Sequence, residues 1–149
     1  MDIQTKQDRS VYYWLVDLFS DAPFINIVDE YTGGDLTPPT VAVKTGVMNG
    51  VPFELGNKLT KDYKIWFIDI YAKNVTQRND FAYRVYNAIN QGIPVYDYDE
   101  GFPPDVAPTQ LGALNLVEKK HTPIEVIPEL PEKMYWRGQV TLFLEYSPY

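Results

Sequence analysis

A chain of 149 residues with 13 Lys and Arg against 20 Asp and Glu carries a formal charge of −7. It therefore lacks an obvious source for the phosphate neutralisation that drives nucleic-acid binding. The absence of cysteine excludes disulfides, thiolate zinc sites and cysteine nucleophiles together, and is consistent with a reducing compartment.

The length suits one domain, 1–149, that buries roughly two-thirds of its unfolded surface. The start, MDIQTKQDRS, has no apolar signal-peptide core, and no later run approaches the ~20 apolar residues of a membrane span. A soluble chain made in the cytosol, with no membrane partner, is the expectation. Aromatic residues make up 15% of the chain, which favours strands and contact surfaces.

In chain order, Asp8 is positioned to cap a first helix whose apolar residues Val11, Trp14, Leu15, Leu18 and Phe19 keep helical spacing until Ser20, Asp21 and Pro23. FINIVD, 24–29, alternates as a short strand, and YTGGDLTPP, 31–39, reads as a loop. TVAVKTGVM and VPFELG flank Asn49-Gly50, a dipeptide suited to a type I′ turn. This predicts a hairpin with Met48 facing Val51.

LGNKLTKD, 55–62, turns into the strand YKIWFIDIYAK. There Ile65, Phe67, Asp69 and Tyr71 alternate with Trp66, Ile68, Ile70 and Ala72, so neither face is a water face. One face, or the sheet around it, is expected to meet a second copy of the chain. Asn74 or Thr76 caps a second helix with an inward stripe of Phe81, Ala82, Val85, Ala88 and Ile89, ending at Gly92. Tyr83 and Tyr86 lie off the centre of that stripe and are candidate contact residues.

From Tyr96, YDYDEGFPPDVAPTQ is longer than the usual connection in a compact domain. It is expected to be a mobile docking loop that orders against a partner, presenting Tyr96, Asp97, Tyr98, Asp99, Glu100 and Phe102. LGALNLVEKK and TPIEVIP predict two shorter strands around a turn at His121. In the closing strand Val140, Leu142, Leu144 and Tyr146 share one face and Gln139, Thr141, Phe143 and Glu145 the other. Core packing does not account for Phe143.

The chemistry-bearing residues form no catalytic pattern. His121 has no partner at metal-ligand spacing, no nucleophile elbow surrounds Ser10, Ser20 or Ser147, and Gly33-Gly34 precedes Asp and Pro and not a phosphate-binding helix. Asp97, Asp99 and Glu100 lack the calcium-loop register. The chain is expected to be a non-enzyme with no cofactor and no metal.

The succession of a helix, a loop, a hairpin closing on PFELG, an apolar strand running into IYAKN, a polar cap VTQRND, a helix, IPVYDYDEG and a final MYWRGQVTLFLEY resembles the small neck and tail-completion proteins of tailed bacteriophages. The likeness spans about Val41 to Tyr146 and is greatest to the tail terminator family of the phage lambda type. That resemblance implies an α+β domain, mainly an antiparallel sheet with two helices packed on it, assembled as a six-fold ring. The ring would cap the tail tube, bind the tail tube protein and the head-completion or neck proteins, and let DNA pass without specific binding. It implies a location in the virion neck after assembly in the host cytoplasm, and no catalytic residues. The strand Tyr63 to Lys73, the helix Gln77 to Gln91 and the closing strand would serve as scaffold and interface.

On this reading Phe67, Tyr71, Tyr83, Tyr86 and Phe143 form the subunit interface, covering what a helix does not. An acidic wall would line the bore, drawn from Asp29, Glu30 and Asp35 with Asp97, Asp99 and Glu100, and would repel phosphate. A head-completion (stopper) or tail-tube protein is the alternative within the neck. From a different class, a small carbohydrate-binding module would use the Tyr and Trp residues with the acidic loop.

Overall fold

Side-chain alternation along one strand sorts the core of this molecule. The computed structural model describes residues 1–29, 39–52, 60–124 and 136–149. Among them are the helices α1 (Ile3–Leu18) and α2 (Val75–Ala88), the latter continued by a 3-10 turn over Ile89–Gln91. The strands are β1 (Asn26–Asp29), β2 (Thr40–Pro52), β3 (Thr60–Ala72), β4 (Ile93–Tyr96), β5 (Gln110–Ile124) and β6 (Trp136–Pro148). They form one sheet in the order β1-β2-β3-β6-β5-β4, antiparallel throughout except for the parallel pair β1 and β2. The expected α+β class, a mainly antiparallel sheet with two helices packed on it, is the fold observed. No helix of the described residues is long and apolar enough to cross a membrane.

On β3, Trp66, Ile68, Ile70 and Ala72 are fully buried. They share a core with Val41 and Val43 of β2 and Val140, Leu142 and Leu144 of β6. Val11 and Leu15 of α1 and Phe81, Ala82 and Val85 of α2 join the same core, so both helices lie on one face of the sheet. Each large side chain sealed there stabilises the fold by about 1.5–3 kcal/mol relative to exposure.

α1 holds this sheet at three points within about one turn. The Asp8 carboxylate accepts from Lys64 Nζ at 2.9 Å and from Trp66 Nε1 at 2.9 Å, both on β3. Arg9 pairs with Asp29 of β1, and Ser10 Oγ accepts from the backbone N–H of Tyr96 on β4 at 3.1 Å. β1 and β4 are the opposite edges of the sheet, so one helix reaches both only because the sheet curls around it, as twisted strands allow.

Three local expectations are corrected. α1 begins earlier than the apolar rhythm suggests, because Asp2, not Asp8, is the N-cap and accepts from the Thr5 N–H at 2.8 Å. Asp8 lies inside the helix, its carboxylate committed to β3. Next, β2 runs straight through Asn49-Gly50, with Asn49 opposite Tyr63, Gly50 opposite Asp62 and Pro52 opposite Thr60. Met48 pairs with Lys64 and Val51 with Lys61. Asn-Gly permits a tight turn without requiring one, and the backward extension of β3 offers those residues ladder partners that a turn at 49–50 would forfeit.

Lastly, the segment around His121 is no turn. β5 is continuous through it, with His121 opposite Val140 and Pro123 opposite Gly138. Pro123 is tolerated because β4 pairs β5 only between Gln110 and Leu114. Beyond that point, among the described residues, no strand on the far side needs the missing N–H. Residues 31–38 of the expected loop, 53–56 of the closing PFELG, and 125–128 of TPIEVIP lie outside the described residues.

The second helix follows expectation more closely. Asn74 caps it, accepting from the Gln77 N–H at 2.8 Å, while Gln77 Oε1 accepts from the Lys73 N–H at 2.8 Å. Gly92 ends the helical run at φ 78°, a conformation that suits glycine.

Asp8→Ala is expected to destabilise the protein by about 3–5 kcal/mol, because it strands a buried ammonium and an indole N–H together. Urea unfolding measures this, and a loss below about 1 kcal/mol would show that α1 docks by apolar contact alone.

Candidate assembly surfaces

The face of the sheet away from the helices is built by the odd positions of β3 and their partners. Ile65, Phe67 and Tyr71 are half-buried there, opposite Phe143, Thr141 and Arg137 of β6 respectively. Phe67 also crosses β2 where its register shifts between Thr45 and Met48. A Cβ on Gly46 would stand 2.8 Å from Phe67 Cε2 and 2.9 Å from the Ile65 carbonyl oxygen, so only glycine admits the ring at that irregularity.

Polar groups frame the apolar row. Asp69, buried within it, accepts from Gln139 Nε2 at 3.0 Å and from Arg137 Nη2 at 3.3 Å. The Arg137 guanidinium lies 5.2 Å over the Tyr71 ring, and Lys120 Nζ lies 5.4 Å over Phe143. Contacts of this kind are worth about 0.5–1 kcal/mol at exposed sites. The Tyr63 and Phe143 rings approach to 6.3 Å.

The five aromatics expected at a subunit interface thus divide. Phe67, Tyr71 and Phe143 share the bare sheet face, whereas Tyr83 and Tyr86 belong to the helix side. Tyr83 is 52% exposed and meets the His121 ring edge-on at 5.5 Å. Tyr86 packs partly into the core under Lys119, whose Nζ sits 4.0 Å from the ring centroid. That ammonium also donates to the Tyr86 carbonyl and to Asn90 Oδ1, both at 2.8 Å.

His121 is wedged beside the same helix with Nε2 buried and without a hydrogen-bond partner. Burial pushes the imidazole below its ordinary pKa, and the neighbouring Arg78 guanidinium pushes it the same way. Gly138 makes room for both, since a Cβ there would lie 3.3 Å from Arg78 Cγ and 3.4 Å from His121 Nε2.

The segment after β4 is fastened to α1. Lys6 Nζ bonds Asp97 and Asp99 at 3.0 Å each, and the amino group of Met1 bonds Asp99 at 3.1 Å. These contacts hold the Asp99 carboxyl below the usual range, the Lys6 ammonium acting first, and raise Lys6 in return, chiefly through Asp99. Tyr98, only 2% exposed, packs on Tyr13 at 5.6 Å and on Phe102 at 5.5 Å, and those two rings stack on each other at 6.1 Å. Burial raises its phenol pKa.

Of the six residues expected to present a docking loop, Tyr96 therefore ends a strand, Asp97 and Asp99 are tethers, and Tyr98 is an anchor. Glu100 and Phe102 are exposed. Of the expected bore acids, Asp29 is paired with Arg9, while Glu30 and Asp35 lie outside the described residues.

Sequence reading missed the tether built from Lys6, Asp8, Arg9 and Ser10. The available signal was the spacing of Leu15, Val11 and Gln7, which carries the buried stripe of α1 back into its polar first half. A shallow groove of about 470 Å³ between Trp14, Asp17 and Leu18 of α1 and Ala88, Gln91, Gly92 and Pro94 was also not foreseen. Among the described residues no group of three or more His, Cys, Asp or Glu gathers as a metal site.

Two measurements follow. Lys6→Met should speed amide exchange across 97–106 at neutral pH while leaving α2 protected, and unchanged exchange would mean the aromatic stack alone holds the segment. Because the folded pKa of His121 is depressed, its contribution to stability is present above its unfolded value of 6.5 and fades as pH falls through the lower folded value. His121→Phe should flatten that part of the stability profile, read by thermal melts between pH 7 and about 5.

No protein-family model matches the chain, and none of the curated proteins does. Among solved structures, a chain described as "Virion of native gene transfer agent (GTA) particle" is similar with a TM-score of 0.48 at 14% sequence identity, over 99% of this chain and 98% of that one.

Proposed function

We propose that this chain is a structural virion protein of a tailed bacteriophage, a tail terminator that associates as a six-fold ring on the end of the tail tube and joins it to the head. The observation that carries this reading is the one-sided sheet. Ile65, Phe67, Tyr71 and Phe143 form a row with no helix among the described residues above it, and other exposed aromatic residues lie elsewhere, Tyr83 on α2 and Phe102 after β4. A ring needs two unlike patches that meet repeatedly at a fixed angle, and aromatic residues suit such contacts. The succession of short motifs that resembles the tail terminators points the same way.

In this role the chain is a scaffold and not an enzyme, and its partners are its own copies, the tail tube protein and the neck proteins above. DNA crosses the bore without specific binding. Asp29, with Glu30 and Asp35, contributes to an acidic wall that repels phosphate. The carbohydrate-binding alternative would place a sugar on the cluster of Tyr13, Tyr98 and Phe102, but Tyr98 is only 2% exposed and offers no free face.

Native mass spectrometry and negative-stain microscopy of the purified protein, alone and with tail tubes of its own phage, test the reading. A ring in solution or at the tube end is the expected result. A monomer at every concentration that leaves tube ends bare would overturn it, and density only at the head vertex would replace it with a head-completion role.

A further inference from the structure

We propose that copies of this chain meet head to tail, the 97–105 segment of one seated on the bare sheet face of the next. This assigns the two patches of the ring contact and rests on the ring-forming reading above.

Charge is divided unevenly along the described residues. Residues 1–29 and 97–105 hold nine carboxylates against two cations, Lys6 and Arg9, whereas the remaining described residues hold nine cations against five carboxylates. Copies that each carry −7 repel one another unless unlike charges meet at the contact.

Lys44, Lys120 and Arg137 stand on the outer sheet face, which also carries Asp69 and Glu118. Lys44 is exposed beside Phe67, and Lys120 lies over Phe143 with its side chain 59% exposed and its ion-pair contact to Glu118 stretched to 3.8 Å. An aromatic row flanked by two accessible ammonium groups fits an acidic segment with an apolar tip.

Residues 97–105 have that chemistry. Glu100 and Asp105 are exposed, and between them Phe102 is 39% exposed while its ring stacks on Tyr98. The Lys6 tether and this stack hold the segment in place before any partner arrives, which reduces the ordering cost of docking. Because the segment lies against α1 on the helix side and the bare sheet face is on the other, each copy keeps a free patch after binding one neighbour. Such a contact is heterologous and repeats until a ring closes.

The lack of native cysteine permits a direct test. The double variant Glu100→Cys/Lys120→Cys, oxidised under the conditions in which the protein associates, should give a ladder of multimers on non-reducing gels, with either single variant giving no ladder. In parallel, Glu100→Lys and Lys120→Glu should each weaken association by about tenfold or more. Their combination should recover most of the loss, and added salt should weaken the wild type. Circular dichroism checks that each variant remains folded.

Rings that form normally with no ladder, and that ignore both reversals, would overturn this contact and leave the terminator reading in place. A wild type that forms no oligomer, with or without tubes, would remove both. Dimers from a single cysteine variant, and nothing beyond dimers from the pair, would overturn the head-to-tail arrangement in favour of a two-fold contact.

Discussion

The fold depends on a stretch of α1 from Lys6 to Ser10 whose polar side chains are spent on the sheet and not on solvent. Asp8 reaches the centre of the sheet, Arg9 one edge and Ser10 the other, while Lys6 fixes the segment that follows β4. An ammonium as deeply placed as Lys64 would be costly without a partner, and Asp8 is that partner. The same carboxylate satisfies the Trp66 indole, so the largest buried side chain and the buried Lys64 ammonium are served by one residue. Bonds to both edges then set the curl, because the helix cannot span them over a flat sheet.

Curling around α1 has a consequence for the other face. Helices cover the concave side, where apolar side chains from every layer interlock, and the outer side keeps only what its own strands provide. Phe67 lying over Gly46, Tyr71 under Arg137 and Phe143 under Lys120 form a surface of aromatic rings partly shielded by cations. Such a surface is compatible with water and still retains apolar area to give up on association. The question raised by a strand with two apolar faces therefore has a physical answer: one face is core, and the other is a half-buried outer face of aromatic rings topped by cations.

Long strands paired over part of their length shape the edges. Among the described residues, β1 lies beside Thr40–Val43 of β2, and β4 beside Gln110–Leu114 of β5. The remaining lengths carry devices that discourage indiscriminate strand addition: a register shift and Lys44 on β2, and a register shift, two lysines and Pro123 on β5.

Much of this was legible in the chain itself. Alternation over 65–72 and 139–146 assigned the faces of β3 and β6 correctly, and Asn74, Gly92 and the 81–89 stripe delimited α2, because these signals arise from neighbours along the backbone. Permissive signals misled. Asn49-Gly50 allows a turn but does not compel one, and His121 with Pro123 resembles a break only until an unpaired strand flank makes proline harmless. Which aromatics share a surface was likewise beyond local reading, since Phe67 and Phe143 are brought opposite by a pairing of distant strands, while Tyr83 is carried to the far side by a helix. Periodicity in the sequence determined what is apolar and where each face points. Only the tertiary structure decided that Asp8 is the counter-ion of a buried lysine and not a helix cap, because its partners Lys64 and Trp66 lie on another element, and no local pattern records a bond between segments more than fifty residues apart.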